Sequence, residues 1–124
     1  MLKDFELVHL GGRTKTRCII NANEVLWVMP PREDQIGNTI VGVRDNGVVA
    51  LSESMDKVIS TLGVNLVKLR THDQHRRKEL ISDVYVAPAA VSLAIRSIVG
   101  PFDTIKFVDG TTLDVADAQP LLVV

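Results

Sequence analysis

Cys18-Ile19-Ile20-Asn21-Ala22-Asn23-Glu24-Val25 decides how this chain is read, because it returns as Val84-Tyr85-Val86-Ala87-Pro88-Ala89-Ala90-Val91. In both copies a strand-favouring run meets a short break and then a second apolar run. Upstream, Leu7-Val8-His9-Leu10 is echoed by Leu66-Val67-Lys68-Leu69. Downstream, Asn38-Thr39-Ile40 followed by Asn46-Gly47 is echoed by Asp103-Thr104-Ile105 followed by Asp109-Gly110. Three matches in one order describe a duplicated unit of about 60 residues, longer than a solenoid period and suited to a small folding module. The expected fold is α+β, mainly β. Two tandem, pseudo-twofold-related β-hairpin units, residues 1–63 and 64–124, pack as one compact body, with a short helix after the first.

Composition bounds the rest. A chain of 124 residues suffices for one domain or for two small halves that share a core. Each half alone is marginal, so the halves are expected to pack together. Aromatics make up only 4% of the residues, so the core must be built from Val, Ile and Leu, which favour strands. A formal charge of −1 supplies no global drive toward nucleic acid or an anionic membrane. No apolar run reaches the length of a membrane span, and the acidic start lacks the apolar core of a secretory signal. The single cysteine, Cys18, excludes an internal disulfide framework. A reduced, cytoplasmic protein of cellular or viral origin is the expectation.

Along the first unit, Phe5, Leu7 and Leu10 open a strand, Gly11-Gly12 turns it, and residues 17–21 return. After the Asn21-Ala22-Asn23 break, Val25 to Met29 is apolar on both faces, which suits a strand covered on both sides. Residues 38–43 and 48–51 flank Arg44-Asp45-Asn46-Gly47, a hairpin signal because Asn-Gly tolerates the positive φ of a primed turn. Residues 52–62 read as a helix, with Ser52 or Ser54 as N-cap, an apolar stripe of Met55, Val58, Ile59 and Leu62, and Gly63 as the stop. In the second unit the first hairpin is longer and strongly basic. Val91, Leu93 and Ile95 alternate with Ser92, Ala94 and Arg96 as a strand with one wet face, a helix over 88–99 being the competing reading. The hairpin at Asp109-Gly110 reads as one residue shorter than its partner, and Pro120 cuts the closing helix short.

The order Asn21-Ala22-Asn23-Glu24-Val25, Pro30-Pro31, Asn38-Thr39-Ile40, Asn46-Gly47 and Ser52-Glu53-Ser54-Met55-Asp56-Lys57-Val58 resembles the small flagellar FlbD/SwrD family. The resemblance covers residues 5–62 and, more loosely, 66–124. The same succession of strand, break, strand and hairpin is similar to the LytTR DNA-binding domain. That family's basic segment is not reproduced, His75-Arg76-Arg77-Lys78 before Ile81 being the nearest stretch. Neither resemblance implies a catalytic residue.

Candidate chemistry concentrates in Arg70, His72, His75, Arg76, Arg77 and Lys78, the one dense cationic run. Guanidinium forks at a hairpin tip suit phosphates or an acidic protein, whereas the plain reading is a solvated loop. No aromatic interleaves the run, so single-strand stacking is not indicated. His72, Asp73 and His75 fall short of a four-ligand structural zinc set. Gly11-Gly12-Arg13-Thr14-Lys15 lacks the second glycine before the lysine and the following helix of a phosphate loop. Cys18, matched by Val84, reads as a small buried hydrophobe. Trp27 reads as a core residue or an interface anchor. Glu53, Asp56, Asp114 and Asp117 read as capping and surface charges. The expectation is a non-enzymatic regulatory or interaction module without cofactor or metal. Its partner is a protein, and homo-oligomers are compatible with the sequence. The alternatives are a nucleic-acid-binding protein using the basic hairpin and a structural subunit of a larger assembly.

Overall fold

A computed structural model describes residues 1–8, 16–31, 37–71, 82–100 and 102–122. The first half runs β1 (Leu2–Leu7), β2 (Thr16–Asn21), a 3₁₀ turn (Ala22–Glu24), β3 (Val25–Met29), β4 (Thr39–Val43), β5 (Gly47–Leu51) and α1 (Met55–Leu62). The second half runs β6 (Val67–Arg70), β7 (Asp83–Val86), a 3₁₀ turn (Pro88–Ala90), β8 (Val91–Ile95), β9 (Asp103–Phe107), β10 (Thr112–Val115) and a closing 3₁₀ turn (Gln119–Leu122). The described chain is thus mainly β with one α-helix, and the order of elements occurs twice.

Local chemistry explains the breaks. The Asn21 side chain accepts from the Asn23 N–H at 3.1 Å and opens the first 3₁₀ turn. Pro88, with φ fixed near the helical value, opens the second. Ser54 caps α1 by accepting from the Lys57 N–H at 3.3 Å, and the helix buries Val58 and Leu62 in the first half's core. Glu53 acts one residue earlier, its carboxylate accepting from the Glu6 N–H at 3.0 Å. That bond fastens the entry of the helix to β1.

Two antiparallel sheets result, ordered β2-β1-β5-β4-β3-β7-β6 and β10-β9-β8. Leu7 pairs with Leu51 where β1 meets β5, and an isolated Thr71–Val115 bridge joins the end of β6 to β10. Both halves therefore share one internal strand order. Matching backbone bonds accompany it: Ser52 N–H to Glu6 carbonyl and Ala116 N–H to Arg70 carbonyl, Arg44 N–H to Glu24 carbonyl and Val108 N–H to Ala90 carbonyl. A register shift falls between Val25 and Trp27 in β3 and between Val91 and Leu93 in β8. Such a bulge inserts one residue and reverses which face the following side chains occupy.

The halves meet through β3 and β7, with Trp27 opposite Val86 and Val28 opposite Tyr85. Leu26, Met29 and Ile40 leave the first half's core and join the cluster of Leu69, Val84, Ile105, Phe107 and Val115. The sheet of β3 and β4 is accordingly covered on both faces. The two hairpin tips also touch, the Asp45 N–H donating to the Asp109 carboxylate at 3.2 Å. A twofold arrangement would pair β8 with β2 as it pairs β3 with β7. Instead β2 and β8 each end a sheet, so the contact between the halves is one-sided.

Four sequence expectations need correction. The echo of Leu7–Leu10 by Leu66–Leu69 is out of register, because the residue that bridges Val115 as Leu7 bridges Leu51 is Thr71. The first hairpin is not a two-residue Asn-Gly turn. Val43 pairs with Gly47, leaving Arg44, Asp45 and Asn46 at the tip, with positive φ at Asp45 (60°) and Gly47 (74°). The second hairpin is equally long, since the Phe107 N–H donates to the Thr111 carbonyl around Val108, Asp109 and Gly110. Finally, the strand reading of 91–95 holds, but its wet face is the apolar one. The bulge sends Val91 and Ala94 to the core and turns Leu93 and Ile95 outward.

Candidate functional site

The cationic run is represented in the described residues by Arg70 alone. It is exposed on β6 opposite Asp83, beside an ion pair of Lys68 with Asp83 at 3.5 Å. His72, His75, Arg76, Arg77 and Lys78 lie outside the described residues, as do the histidines and Asp73 of the metal reading and the Gly11-Gly12 segment. Among the described residues no three His, Cys, Asp or Glu side chains gather as a metal site. No described helix is long and apolar enough to cross a membrane.

The remaining candidates have structural partners. Trp27 is half-buried with its indole lying on Gly42, where any Cβ would collide with the ring. Cys18 is half-buried, and burial with the nearby Asp4 charge pushes its thiol above the ordinary range. Asp114 accepts from the Thr104 hydroxyl at 2.8 Å. Asp117 caps the closing turn by accepting from the Gln119 N–H at 2.9 Å. A cleft of about 470 Å³ separates the two inner 3₁₀ turns, lined by Ala22, Asn23, Val25, Asn65, Pro88 and neighbouring alanines. Among the described residues its lining is apolar apart from the Asn23 and Asn65 side chains and the backbone.

The distinctive surface lies at the ends of the two sheets. On β8, Leu93 is 51% and Ile95 58% exposed, and Ile98 and Val99 in the connector to β9 stand almost wholly in solvent. A buried carboxylate holds that connector. Asp103 accepts from the Ser97 N–H at 3.0 Å and from the Ala118 N–H at 2.8 Å, with the Arg96 guanidinium at 3.6 Å. The Ala118 bond is the largest cause keeping Asp103 below the usual carboxylate range. The Ser97 bond and Arg96 act in the same direction, and burial opposes them. Arg96 also reaches Asp117 at 3.3 Å, so the end of β8 is tied to the chain's last turn.

The opposite edge, on β1 and β2, presents Leu2 (70% exposed) and Ile19 (66% exposed) beside the Asp4–Arg17 ion pair at 3.0 Å. The hydrogen bond to Asp4 raises the Arg17 guanidinium's pKa further, so its charge is secure at any physiological pH. Sequence reasoning missed both apolar edges. Alternation assigned Leu93 and Ile95 to the core, and only the bulge, which carries no residue signature in Val91-Ser92-Leu93, reverses that assignment. No family model, curated protein or solved structure matches the chain.

Proposed function

We propose that this protein is a non-enzymatic interaction module that binds a macromolecular protein partner through the free edge of β8. The observation carrying this reading is the exposure of Leu93, Ile95, Ile98 and Val99 on one sheet-ending strand and its connector. Apolar side chains on a strand whose outer edge has no partner among the described residues are what an incoming strand needs: backbone groups to pair with and side chains to bury. Behind it, Asp103 and Arg96 tie the connector to the closing turn. We further propose that the halves are tandem copies of an FlbD/SwrD-like unit, which the repeated element order and the paired bulges support. That descent agrees with a role in binding.

A charge at the edge tests the reading. The Leu93→Asp/Ile95→Asp variant alters only side chains already more than half in solvent, so its unfolding midpoint should match wild type. Affinity capture should lose the same partner proteins that wild type retains. Identical retention by both would remove β8 as the docking edge. Retention lost only on the Arg76→Ala/Arg77→Ala/Lys78→Ala variant would move the function to the basic hairpin.

A further inference from the structure

The apolar edges have counterparts inside the molecule, where they are already in use. Met29 on β3 is buried in the second half's cluster, Trp27 packs against that cluster, and β7 lies along the β3 edge. The matched bulges make Leu93 and Ile95 the counterparts of Trp27 and Met29, and these two are exposed. From the other side, Leu66 and Tyr85 of the second half pack against the first half's cluster. Their counterparts in the registers of β6–β7 and β1–β2 are Leu2 and Ile19, and these two are also exposed. One interface is sealed once within the chain, and its two complementary faces are then presented open on β8 and on β2.

We infer that the chain associates head to tail with a second copy, β2 of one copy adding antiparallel to the free edge of β8 of the next. This inference rests on β8 being a docking edge and names its occupant. The internal pairing of Trp27 with Val86 and Val28 with Tyr85 sets the register between copies: Leu93 opposite Ile20 and Ala94 opposite Ile19. The chain's own β2 does not serve. It pairs with β1 and ends the other sheet, while the β3–β7 pairing, the shared cluster around Met29 and Ile40, and the Asp45–Asp109 bond hold the halves in this one-sided arrangement. Because the two faces differ, the contact is heterologous and propagates or closes as a ring.

Complementary blocking tests this. Sedimentation velocity on the full chain, from low micromolar to near-millimolar concentration, should show a mass rising above the 13.6 kDa monomer. A β8 variant, Leu93→Glu/Ile95→Glu, and a β2 variant, Leu2→Glu/Ile19→Glu, should each stay monomeric. Mixed in equal amounts they should form a one-to-one heterodimer and nothing larger, because each retains the face the other has lost. The milder pair Leu93→Ser and Ile19→Ser serves if a glutamate variant fails to fold. Wild type that stays monomeric throughout overturns the inference, as does a β2 variant that self-associates or a mixture that does not combine. A monomeric wild type whose β8 amides exchange slowly would assign the edge to the chain's own β2. If wild type is monomeric yet captures another protein through Leu93 and Ile95, self-association fails while the docking reading stands.

Discussion

Replacing Asp103 should loosen the end of the molecule that presents β8. The carboxylate is 7% exposed and accepts two backbone N–H groups, from Ala118 at 2.8 Å and Ser97 at 3.0 Å. Ala118 is itself 2% exposed, so its N–H has no route to water once the carboxylate is gone. A hydrogen bond to a charged group contributes about 1.5–3 kcal/mol net, and an orphaned buried donor costs about 1–3 kcal/mol. Ser97 is exposed and can turn its N–H to solvent. The expected loss for Asp103→Ala is therefore about 2–4 kcal/mol, and for Asp103→Asn, which keeps one acceptor oxygen, about 1–2 kcal/mol. The acid dependence follows from the lowered pKa. A carboxylate favoured in the folded state contributes fully above its ordinary value of 3.8, and that contribution disappears as pH falls through the lower folded value. Urea denaturation at neutral and at acid pH should thus show a gap between wild type and Asp103→Asn that narrows in acid. An Asp103→Ala protein within about 0.5 kcal/mol of wild type at neutral pH, the range of an ordinary surface change, would refute the clamp. A gap that does not change with pH would refute the titration argument.

Gly42→Ala should cost about 1–3 kcal/mol, because the new Cβ meets Trp27 Cε2 and Nε1 and must displace the ring. Tryptophan fluorescence should shift with the loss, and an unshifted spectrum would place the ring elsewhere. Gly47→Val and Gly110→Val should each cost about 1 kcal/mol or more in denaturation midpoint, since φ is 74° and 88° there and β-branched residues resist positive φ. A harmless change at either position would count against that turn. Residues 1–63 expressed alone would expose Leu26, Met29 and Ile40, whose cover comes from the second half. That fragment should give a poorly dispersed or oligomeric NMR sample, and a well-dispersed monomer would deny the shared core. Cys18 should alkylate more slowly in the native than in the unfolded chain at one pH, because burial raises its thiol pKa. Equal rates would deny that burial.

How far the sequence carried depends on where side chains and backbone agree. The strands from Val25 to Met29 and from Thr39 to Val43 were legible because runs apolar on both faces need cover on both faces. The helix was legible from its stripe and its Gly63 stop, Ser54 being the one of the two candidate caps, Ser52 and Ser54, that is used, and the twice-occurring order of elements from the matched breaks at Asn21 and Ala87. Register was not. Leu66 echoes Leu7 in residue type, yet Thr71 occupies Leu7's place because pairing follows backbone geometry. The connector Arg44-Asp45-Asn46-Gly47 carries the usual turn residues, but Gly47 pairs with Val43 and the positive φ falls on Asp45 and Gly47 instead of on Asn46-Gly47. For the candidate site, the cationic run was conspicuous in composition, while the apolar edges were invisible. Exposure of Leu93 and Ile95 depends on a bulge and on β8 ending its sheet among the described residues, and neither is written in local residue types.

The treatment of its edges distinguishes this protein from a sheet that merely happens to end. Strand edges invite pairing with other chains, and a common protection is charge on the outward side chains. Here β6 carries exposed Lys68 and Arg70, and β10 begins with exposed Thr112 and carries Asp114. The β8 edge carries Leu93 and Ile95, and the β1–β2 edge carries Leu2 and Ile19. Charge therefore dominates where the two internal orders meet at the Thr71–Val115 bridge, whereas exposed apolar side chains stand at the two ends that match the internal contact, beside the Asp4–Arg17 pair at one of them. A bare apolar strand would be eliminated cheaply by one lysine at position 93 or 95, since neither residue supports the core. Leucine and isoleucine at these positions, beside a connector pinned by Asp103, fit the proposal that this edge receives a strand.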